Sequence, residues 1–227
     1  MFFLKLKYFL YYYKSKLLKK KCKKIFKKQK IKFEQKLLKK NFSNKWFLNN
    51  YDIFTFFLPE DKNLKFDYLE VGCFEGLSSF YVLSEYKFVN AYFLDIWDIP
   101  NSNSKTLSEN FGPIEKAFDD NLTEYNFTKM KDDSVVSMRK LLRKNKSFDF
   151  IYIDGSHNGE DILSDAIESF KLLKVNGLIF FDDFLQHDRD RQIQSYEGIQ
   201  KFLSLYSNYL IIEYFQNNLV VRKKNKI

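Results

Sequence analysis

Two apolar segments that each end in a carboxylate constrain the fold more than any other feature of this chain. FDFIYID spans 148–154 and LIFFD spans 178–182, and a segment with the spacing of an amphipathic helix, 161–174, lies between them. A strand, a helix and a second strand in this order indicate a parallel unit with a right-handed crossover. Gly177 predicts the end of the helix, because glycine commonly follows the last helical turn.

The same alternation of strand and helix runs through the chain from Trp46 onward. Two further strands are predicted at 66–71 and 91–97, and a weaker one at 126–130, with helical segments between them. Near the C-terminus, LIIEYF and LVVRK flank Asn217-Asn218, which indicates a hairpin. We therefore predict an α/β fold with a mostly parallel sheet and an antiparallel C-terminal edge. Ligands of such sheets bind beyond the carboxyl ends of the strands.

Residues 1–45 differ in charge from the rest of the chain. They hold 17 Lys and a single acid, Glu34, so the segment carries +16, and the total of +9 leaves −7 for the remainder. We predict a basic helical or partly disordered extension over 1–45 and an α/β domain over 46–227. The extension fits peripheral contact with an anionic membrane or a protein partner, a nucleic-acid arm, or a solvated segment without a partner. Nucleic acid is the less favoured partner, because a negatively charged domain repels phosphates.

Cysteine usage and hydropathy set the expected compartment. Cys22 and Cys73 stand far apart and lack the spacing of a paired site, so reduced thiols are expected. Lys5 and Lys7 interrupt the first apolar patch, so no transmembrane helix is predicted. No secretory signal is predicted either, because no small-residue cleavage site follows the patch. We therefore expect a cytoplasmic protein, peripheral to a membrane if the basic extension binds lipid.

YLEVGCFEGLSS, residues 68–79, predicts a strand, a glycine-bearing turn and a helix. Gly72 and Gly76 allow a ligand to approach the backbone closely, and the start of the helix offers unpaired N–H groups. The spacing lacks the third glycine of a dinucleotide site. Glu70, placed before the first glycine, instead suits a cationic group such as the amino group of S-adenosylmethionine. A tight turn without a ligand is the alternative interpretation.

Two later segments could complete an adenosine site. Asp95 ends the second strand, 19 residues after Gly76, where an acid commonly binds ribose hydroxyls; a helix cap is the alternative. Trp97 either lines the same pocket or packs in the core. Asp133 and Ser134 precede a helix, so they act as its N-cap, face the adenine, or do both.

A second group of polar residues follows the two strands described first. Asp154, Asp182 and Asp183 are expected to converge, and their mutual repulsion would be relieved by a divalent cation, Mg²⁺ or Mn²⁺. Capping of the next loop is the alternative for the Asp182-Asp183 pair, and both bind one ion only if the chain has turned at Asp183. His157 is a candidate general base, a cofactor contact or a helix cap.

LEVGCFEGLSS, the strand-end Asp95 and IYIDGSHNGEDILSDAIESFKLLKVNGLIFFDDF together resemble class I S-adenosylmethionine-dependent methyltransferases. The most similar subgroup is methyltransferase family 24, which includes macrolide-sugar O-methyltransferases, and the likeness runs from about Trp46 to Lys223. It implies a doubly wound, Rossmann-like sheet of seven strands over 46–227. It also implies that the cofactor is surrounded by Glu70, Gly72, Cys73, Phe74, Gly76 and Ser78, with the ribose held by Asp95.

The resemblance also implies a reaction. In metal-dependent relatives, acids at the positions of Asp154, Asp182 and Asp183 bind Mg²⁺, and a histidine like His157 is the proposed base. We therefore expect S-adenosylmethionine-dependent methylation of a hydroxyl group. The first choice of acceptor is a sugar, a glycan or a small molecule, and the second choice is a catechol-like phenol. A non-enzymatic module that binds a membrane or partner through 1–45 is the alternative. The expected acceptor segments, 98–125 and 184–195, match no assignable pattern.

Overall fold

Seven strands form one sheet in the order β3, β2, β1, β4, β5, β7, β6. The structure is a computed structural model that describes residues 2–97, 114–185 and 194–225, with side chains from Tyr8 onward. Parts of the expected acceptor segments, 98–125 and 184–195, therefore lie outside the described residues. The strands are β1 Phe66–Val71, β2 Val89–Asp95, β3 Thr128–Lys131, β4 Phe148–Ile153, β5 Leu173–Phe181, β6 Leu210–Phe215 and β7 Leu219–Lys223. The helices are α1 Phe2–Lys36, α2 Tyr51–Phe57, α3 Leu77–Glu85, α4 Ile114–Leu122, α5 Ser134–Arg143, α6 Gly159–Leu172 and α7 Ser195–Leu205.

The strand directions confirm the predicted fold. β1 pairs in parallel with β2 and β4, and the outer pairs β2–β3 and β4–β5 are also parallel. β7 pairs antiparallel with both β5 and β6, which makes the C-terminal hairpin the antiparallel edge. The sheet is therefore doubly wound, mostly parallel and Rossmann-like.

The core lies on both faces of the sheet, as the near-continuous apolar strands require. Successive residues of a strand point to opposite faces. Phe150 and Tyr152 of β4 accordingly belong to one buried cluster, with α2 and α3, while Ile151 and Ile153 belong to the other, with α6 and α7. Such burial on both faces fixes the strand register, because a shift by one residue would exchange the two faces.

Most of the basic extension is helical and packs on the domain: α1 covers Phe2–Lys36, a short 3₁₀ helix follows at Leu37–Lys39, and residues 40–45 are not helical. Cys22 and Phe33 are buried in the same cluster as α2 and α3, and Phe26 packs against it, whereas Ile25 points outward. The backbone N–H of Phe215 in β6 donates to Ser15 Oγ at 2.9 Å. The helical alternative for 1–45 is thus the one the structure shows, while the domain boundary at 45 stays a prediction. Among the helices of the described segments, none combines the length and the apolar content that crossing a bilayer requires.

The predicted role of Gly177 is wrong. α6 ends at Leu172, and Gly177 lies inside β5 rather than at a helix end. A Cβ at this position would come within 2.9 Å of the Lys174 carbonyl oxygen and 3.0 Å of the Asp149 carbonyl oxygen. The glycine is therefore needed for close backbone packing, at the place where the pairing register between β4 and β5 shifts.

Candidate functional site

The predicted site residues gather at the carboxyl ends of the parallel strands, beside the point where the strand order reverses. β1 lies between β2 and β4, so its end faces the turns that follow both neighbours. We call the ends of β1 and β2, with the turn 72–76, the glycine edge. The carboxylate edge comprises the ends of β4 and β5 with Asp154, Asp182 and Asp183.

The glycine edge depends on two left-handed glycines. Gly72 has φ of 83° and Gly76 has φ of 82°, a region that side chains disfavour. A Cβ on Gly72 would lie 2.3 Å from the carbonyl oxygen of Asp154, so only glycine fits between the two edges. Gly76 immediately precedes α3, and this places the first turn of that helix at the carboxyl end of β1.

Glu70 lies beneath this turn and is fully buried. Its carboxylate accepts hydrogen bonds from the hydroxyl groups of Ser78, Ser79 and Tyr68. Burial raises the pKa of Glu70 to about 7, although these three hydroxyl groups act in the opposite direction. In this structure Glu70 therefore holds the first turn of α3 in place, and its direct contact with the amino group of a ligand stays a prediction.

Asp95 ties the end of β2 to the glycine turn. Its Oδ2 accepts from the backbone N–H groups of Cys73 at 2.7 Å and Phe74 at 2.9 Å, and its Oδ1 accepts from that of Trp97 at 2.8 Å. These contacts use both lone pairs of Oδ2 and leave one on Oδ1, so a ribose hydroxyl group can still be accommodated at Oδ1. Asp95 thus acts as a cap of the turn, and its predicted contact with ribose is compatible with that role.

The aromatic side chains of this edge divide between core and surface. Trp97 is buried against Phe118, with ring centroids 4.8 Å apart, and its Nε1–H donates to the carbonyl oxygen of Phe74 at 3.0 Å. Trp46 is exposed and lies over Phe74 with ring centroids 5.4 Å apart. The core interpretation of Trp97 therefore describes its position, and Trp46 is the aromatic residue that reaches the surface beside the turn.

Asp133 and Ser134 lie at the start of α5, after β3. Asp133 is the N-cap and its side chain accepts from the N–H of Val136, as the capping interpretation predicts. The hydroxyl of Ser134 donates to Asp165 at 2.5 Å. Burial raises the pKa of Asp165 to about 7. Contact of Asp133 or Ser134 with an adenine stays a prediction.

At the carboxylate edge, the structure brings Asp154, His157 and Asp183 together. Each offers one possible metal-ligand atom, and these atoms all lie within 4.8 Å of one another. His157 Nε2 is 3.5 Å from Asp183 Oδ2. Asp183 has φ of 45°, so the chain has already turned after β5, which is the condition that the sequence sets for Asp182 and Asp183 to bind one ion.

Asp182 lies behind this group and has partners of its own. Asn50 Nδ2 donates to Oδ1 of Asp182 at 2.8 Å and to Oδ2 at 2.7 Å, and Asn218 Nδ2 also donates to Oδ1. The hydroxyl of Tyr152 lies 2.7 Å from Oδ2. The same hydroxyl lies 2.9 Å from Oδ2 of Asp154. The predicted trio of aspartates is thus split: Asp182 is nearly buried and outside the group that could share an ion, and its role as a ligand stays a prediction.

The carboxylates of this edge hold their protons more tightly than usual. Burial, followed by the charge of Asp182, raises the pKa of Asp154 well above its usual value. Burial, followed by the charge of Asp183, raises the pKa of Asp182 to about 6. Since one Tyr152 hydroxyl carries a single proton, it can donate to only one of its two carboxylate neighbours. The arrangement is that of an acidic group which a bound cation would stabilise.

Sequence reasoning missed the residues that hold the carboxylate edge together. Asn50 lies 132 positions from Asp182, and no local pattern connects them. Asn217 and Asn218 were noted only as a hairpin signal, yet Asn217 Nδ2 donates to Asp183 Oδ1 at 3.2 Å, and Asn218 donates to Asp182. The usable signal was the hairpin itself, because its turn falls at the carboxyl end of β5 once β7 pairs with that strand.

A family comparison covers both edges of this site. The model of methyltransferase family 24, described as a methyltransferase domain, matches residues 69–184, just over half of the 227 residues. The chain belongs to methyltransferase family 24. The class I S-adenosylmethionine-dependent methyltransferase predicted from the sequence is thereby confirmed. The matched segment begins within β1 and ends just after Asp183.

Solved structures share the fold of this family 24 methyltransferase at low sequence identity. MycE of the mycinamycin biosynthetic pathway, solved with Mg, SAH and mycinamycin VI, has 17% identity and a TM-score of 0.56, covering 86% of this chain and 54% of MycE. A Staphylococcus aureus protein assigned as a caffeoyl-CoA O-methyltransferase has 15% identity and a TM-score of 0.57, covering 92% of this chain and 100% of its own. TomG from Streptomyces achromogenes, an O-methyltransferase of tomaymycin synthesis solved with SAM, has 14% identity and a TM-score of 0.50, covering 70% and 73%.

These likenesses establish the fold alone. The family 24 methyltransferase spans about half the length of MycE. No curated protein sequence matches the chain.

Proposed function

We propose that this family 24 methyltransferase transfers the methyl group of S-adenosylmethionine to a hydroxyl oxygen of a sugar, a glycan or a glycosylated small molecule. The observation that carries the proposal is the direct contact of the two edges at Gly72, which packs on the backbone of Asp154. A methyl donor at the glycine edge and an acceptor at the carboxylate edge would be neighbours. Mycinamycin VI, bound in the MycE structure, supports the choice of acceptor class.

The donor would bind along the glycine edge. Gly72 and Gly76 give the turn its left-handed backbone, and Asp95, which caps this turn, keeps one lone pair on Oδ1 for a ribose hydroxyl group. Asp133 and Ser134 would border the adenine from the start of α5. The buried Glu70, which accepts from the hydroxyl groups of Ser78 and Ser79, keeps the first turn of α3 in place and would thereby help to hold the methyl donor in one position.

Asp154 and Asp183 would hold a Mg²⁺ or Mn²⁺ ion, with Asp182 behind them. The fit rests on the donor atoms that lie within 4.8 Å of one another and on the raised pKa of Asp154, since a nearby cation relieves the repulsion between carboxylates. When bound, the ion would lower the pKa of the acceptor hydroxyl.

His157 would act as the general base. It takes the proton of the acceptor hydroxyl, the oxygen forms a bond to the methyl carbon, and the carbon–sulfur bond breaks with its electron pair going to sulfur. S-adenosylhomocysteine leaves, and the proton remains on the imidazole. Asp183, 3.5 Å from Nε2, favours the charged imidazolium that results.

Calorimetry tests the donor site. We expect S-adenosylmethionine to bind the unmodified protein, and Asp95→Ala to weaken that binding by about tenfold or more, because a charge-assisted contact to ribose is lost. Methyl transfer from labelled S-adenosylmethionine is then measured on sugar and phenol acceptors with Mg²⁺ or a chelator. Absence of donor binding under all conditions would refute the proposal, and transfer to phenols alone would correct the acceptor class.

A metal titration separates the two possible roles of His157. Binding of Mn²⁺ is followed by its paramagnetic resonance signal in the unmodified protein, in Asp154→Asn and in His157→Ala. We expect Asp154→Asn to lose affinity for Mn²⁺ and His157→Ala to keep it while losing methyl transfer. Equal loss of affinity in both variants would make His157 a ligand and require another base.

A further inference from the structure

The side of α1 that faces away from the domain has an unusual composition. Ser15, Cys22 and Phe33 form the inner side, and residues half a turn away from them point to solvent. We call this solvent-facing side the outer face of α1, defined by Phe9, Leu10, Tyr13, Leu17, Lys20, Lys24, Lys27 and Lys28. The spacing of these residues by three or four positions places them along one side of the helix.

The outer face has an apolar zone followed by a basic zone. In the apolar zone, Leu10 is 52% exposed, Tyr13 56% and Leu17 56%, and Phe9 is exposed beside them. These residues extend about 10 Å along the helix, at roughly 1.5 Å per residue. The basic zone follows within one turn, and its four lysines are all exposed, with no ion pair to any described residue.

We propose that the outer face of α1 binds the surface of an anionic lipid bilayer. Aromatic and leucine side chains next to a cluster of lysines are the composition by which helices bind in the plane of an anionic bilayer. The apolar zone enters the boundary between headgroups and acyl chains, and the basic zone contacts anionic headgroups. No helix here needs to span the membrane for this mode of binding.

The distribution of charge favours a bilayer over nucleic acid or a second copy of the chain. Nucleic acid would engage the lysines but leave Leu10, Tyr13 and Leu17 in water, since phosphate contacts supply its affinity. A second copy that covered both zones at once would have to place its own lysines or apolar side chains on the basic zone, and neither neutralises those lysines. A bilayer uses both zones at once.

The attachment of α1 to the sheet gives the bound protein a fixed orientation. Phe215 and Gln216 of the C-terminal hairpin bond to Ser15 Oγ and to the carbonyl oxygen of Tyr12. The next residues of that hairpin, Asn217 and Asn218, contact the carboxylate edge. Membrane binding through the outer face therefore places the catalytic site at a set distance from the bilayer, and it does so whether or not the proposed acceptor is correct.

Vesicle sedimentation with the full chain tests this inference. The probes are vesicles of phosphatidylcholine alone and of phosphatidylcholine mixed with phosphatidylglycerol, each at low and high salt. We compare the unmodified protein with two variants, Lys20→Gln/Lys24→Gln/Lys27→Gln/Lys28→Gln and Leu10→Gln/Leu17→Gln. A matched control removes four exposed lysines from the domain instead: Lys65→Gln, Lys87→Gln, Lys144→Gln and Lys201→Gln.

We expect binding to the mixed vesicles that weakens at high salt, and little binding to phosphatidylcholine alone. The basic-zone variant should lose at least about tenfold in affinity, while the matched control stays within about threefold. The leucine variant should also lose binding, with its melting temperature and S-adenosylmethionine binding unchanged. The proposal would be overturned if the unmodified protein did not bind the mixed vesicles. It would also be overturned if the matched control lost as much affinity for them as the basic-zone variant.

Two further outcomes point to the other partners. Tight binding of a labelled RNA or DNA oligonucleotide that depends on the four lysines and not on the leucines, without vesicle binding, would replace the bilayer by nucleic acid. A dimer in light scattering that Leu10→Gln/Leu17→Gln converts to a monomer, again without vesicle binding, would identify the outer face as a contact between copies.

Discussion

The two edges of the site are held by different kinds of contact. At the glycine edge, the donors to the carboxylate of Asp95 within the described part of the chain are the backbone N–H groups of Cys73, Phe74 and Trp97. At the carboxylate edge, Asp182 is held by side chains from α2 and from the C-terminal hairpin, through Asn50 and Asn218. One edge is built from the backbone, and the other from side chains that come from distant segments.

The two edges therefore differ in how readily their residues can change within such a fold. A backbone-built edge depends on chain geometry, so it tolerates few changes at glycine positions and suits a ligand that all relatives share. A side-chain edge can be altered one residue at a time, so it suits an acceptor that differs among relatives.

The largest expected effect separates the two edges by their chemistry. Asp154→Asn should reduce methyl transfer by at least about 100-fold, because it removes a charge from the proposed ion site. Its affinity for S-adenosylmethionine should change by less than about threefold, since Asp154 contacts the glycine edge through its backbone. Calorimetry and a transfer assay on the same preparation measure both quantities. Equal losses of donor affinity and transfer would show that the two edges act as one site.

Local patterns were enough to predict the glycine edge from the sequence. Gly72, Gly76 and Asp95 all lie in a strand or turn that the alternation of apolar and polar residues identifies, and parallel pairing then brings them together. The same logic predicted the convergence of Asp154 with Asp183. Strand order is a property of topology, and a repeated strand–helix pattern restricts it to few choices.

What could not be predicted depends on contacts between distant segments. The partners of Asp182 come from positions 132 and 36 residues away, and nothing in their local sequence distinguishes them from ordinary loop asparagines. The register shift that puts Gly177 inside β5 arises where Phe148 pairs with Leu173 and Phe150 with Leu178. Helix spacing alone extends the predicted helix to Lys174, because Leu173 continues the apolar spacing of Ala166 and Phe170, whereas α6 ends at Leu172.

The second prediction tests whether the two edges depend on the close backbone contact between Gly72 and Asp154. Gly72→Ala should lower the free energy of unfolding by about 3 kcal/mol or more, because the methyl group meets the Asp154 backbone and φ is positive. For a chain of this size that corresponds to a fall in melting temperature of roughly 6–12 °C. Thermal unfolding followed by circular dichroism measures it.

Gly155→Ala provides the matched control for that substitution. A Cβ on Gly155 would meet no atom closer than 3.7 Å, an ordinary van der Waals contact. Its stability should therefore stay within about 1 kcal/mol of the unmodified protein. Similar losses of stability in both variants would show that any methyl group near the Asp154 backbone destabilises the fold. The requirement for glycine would then not be specific to position 72.

The third prediction concerns the side chains that build the carboxylate edge. Asn218→Ala should destabilise the fold by about 1–3 kcal/mol, because Asn218 is buried and Asp182 loses a hydrogen-bond donor. Asn217→Ala, in the same turn, should cost less than about 1 kcal/mol, because its contact with Asp183 is exposed. Urea unfolding of both variants gives the two values. An equal cost would mean that the turn itself, rather than the amide of Asn218, supports the edge.

The smallest effect at neutral pH comes from Glu70, a fully buried acid beneath the backbone-built edge. Its pKa is raised from 4.5 to about 7 in the folded protein, so its contribution to stability is fully present below about pH 4.5 and is lost as the pH rises toward 7. Glu70→Gln keeps the shape of the side chain and removes this dependence. The variant should lose less stability between pH 5 and pH 8 than the unmodified protein, by on the order of 1–2 kcal/mol. Parallel pH profiles in the two proteins would instead mean that Glu70 stays ionised in the fold, and that its three hydroxyl partners stabilise the charge beneath the turn.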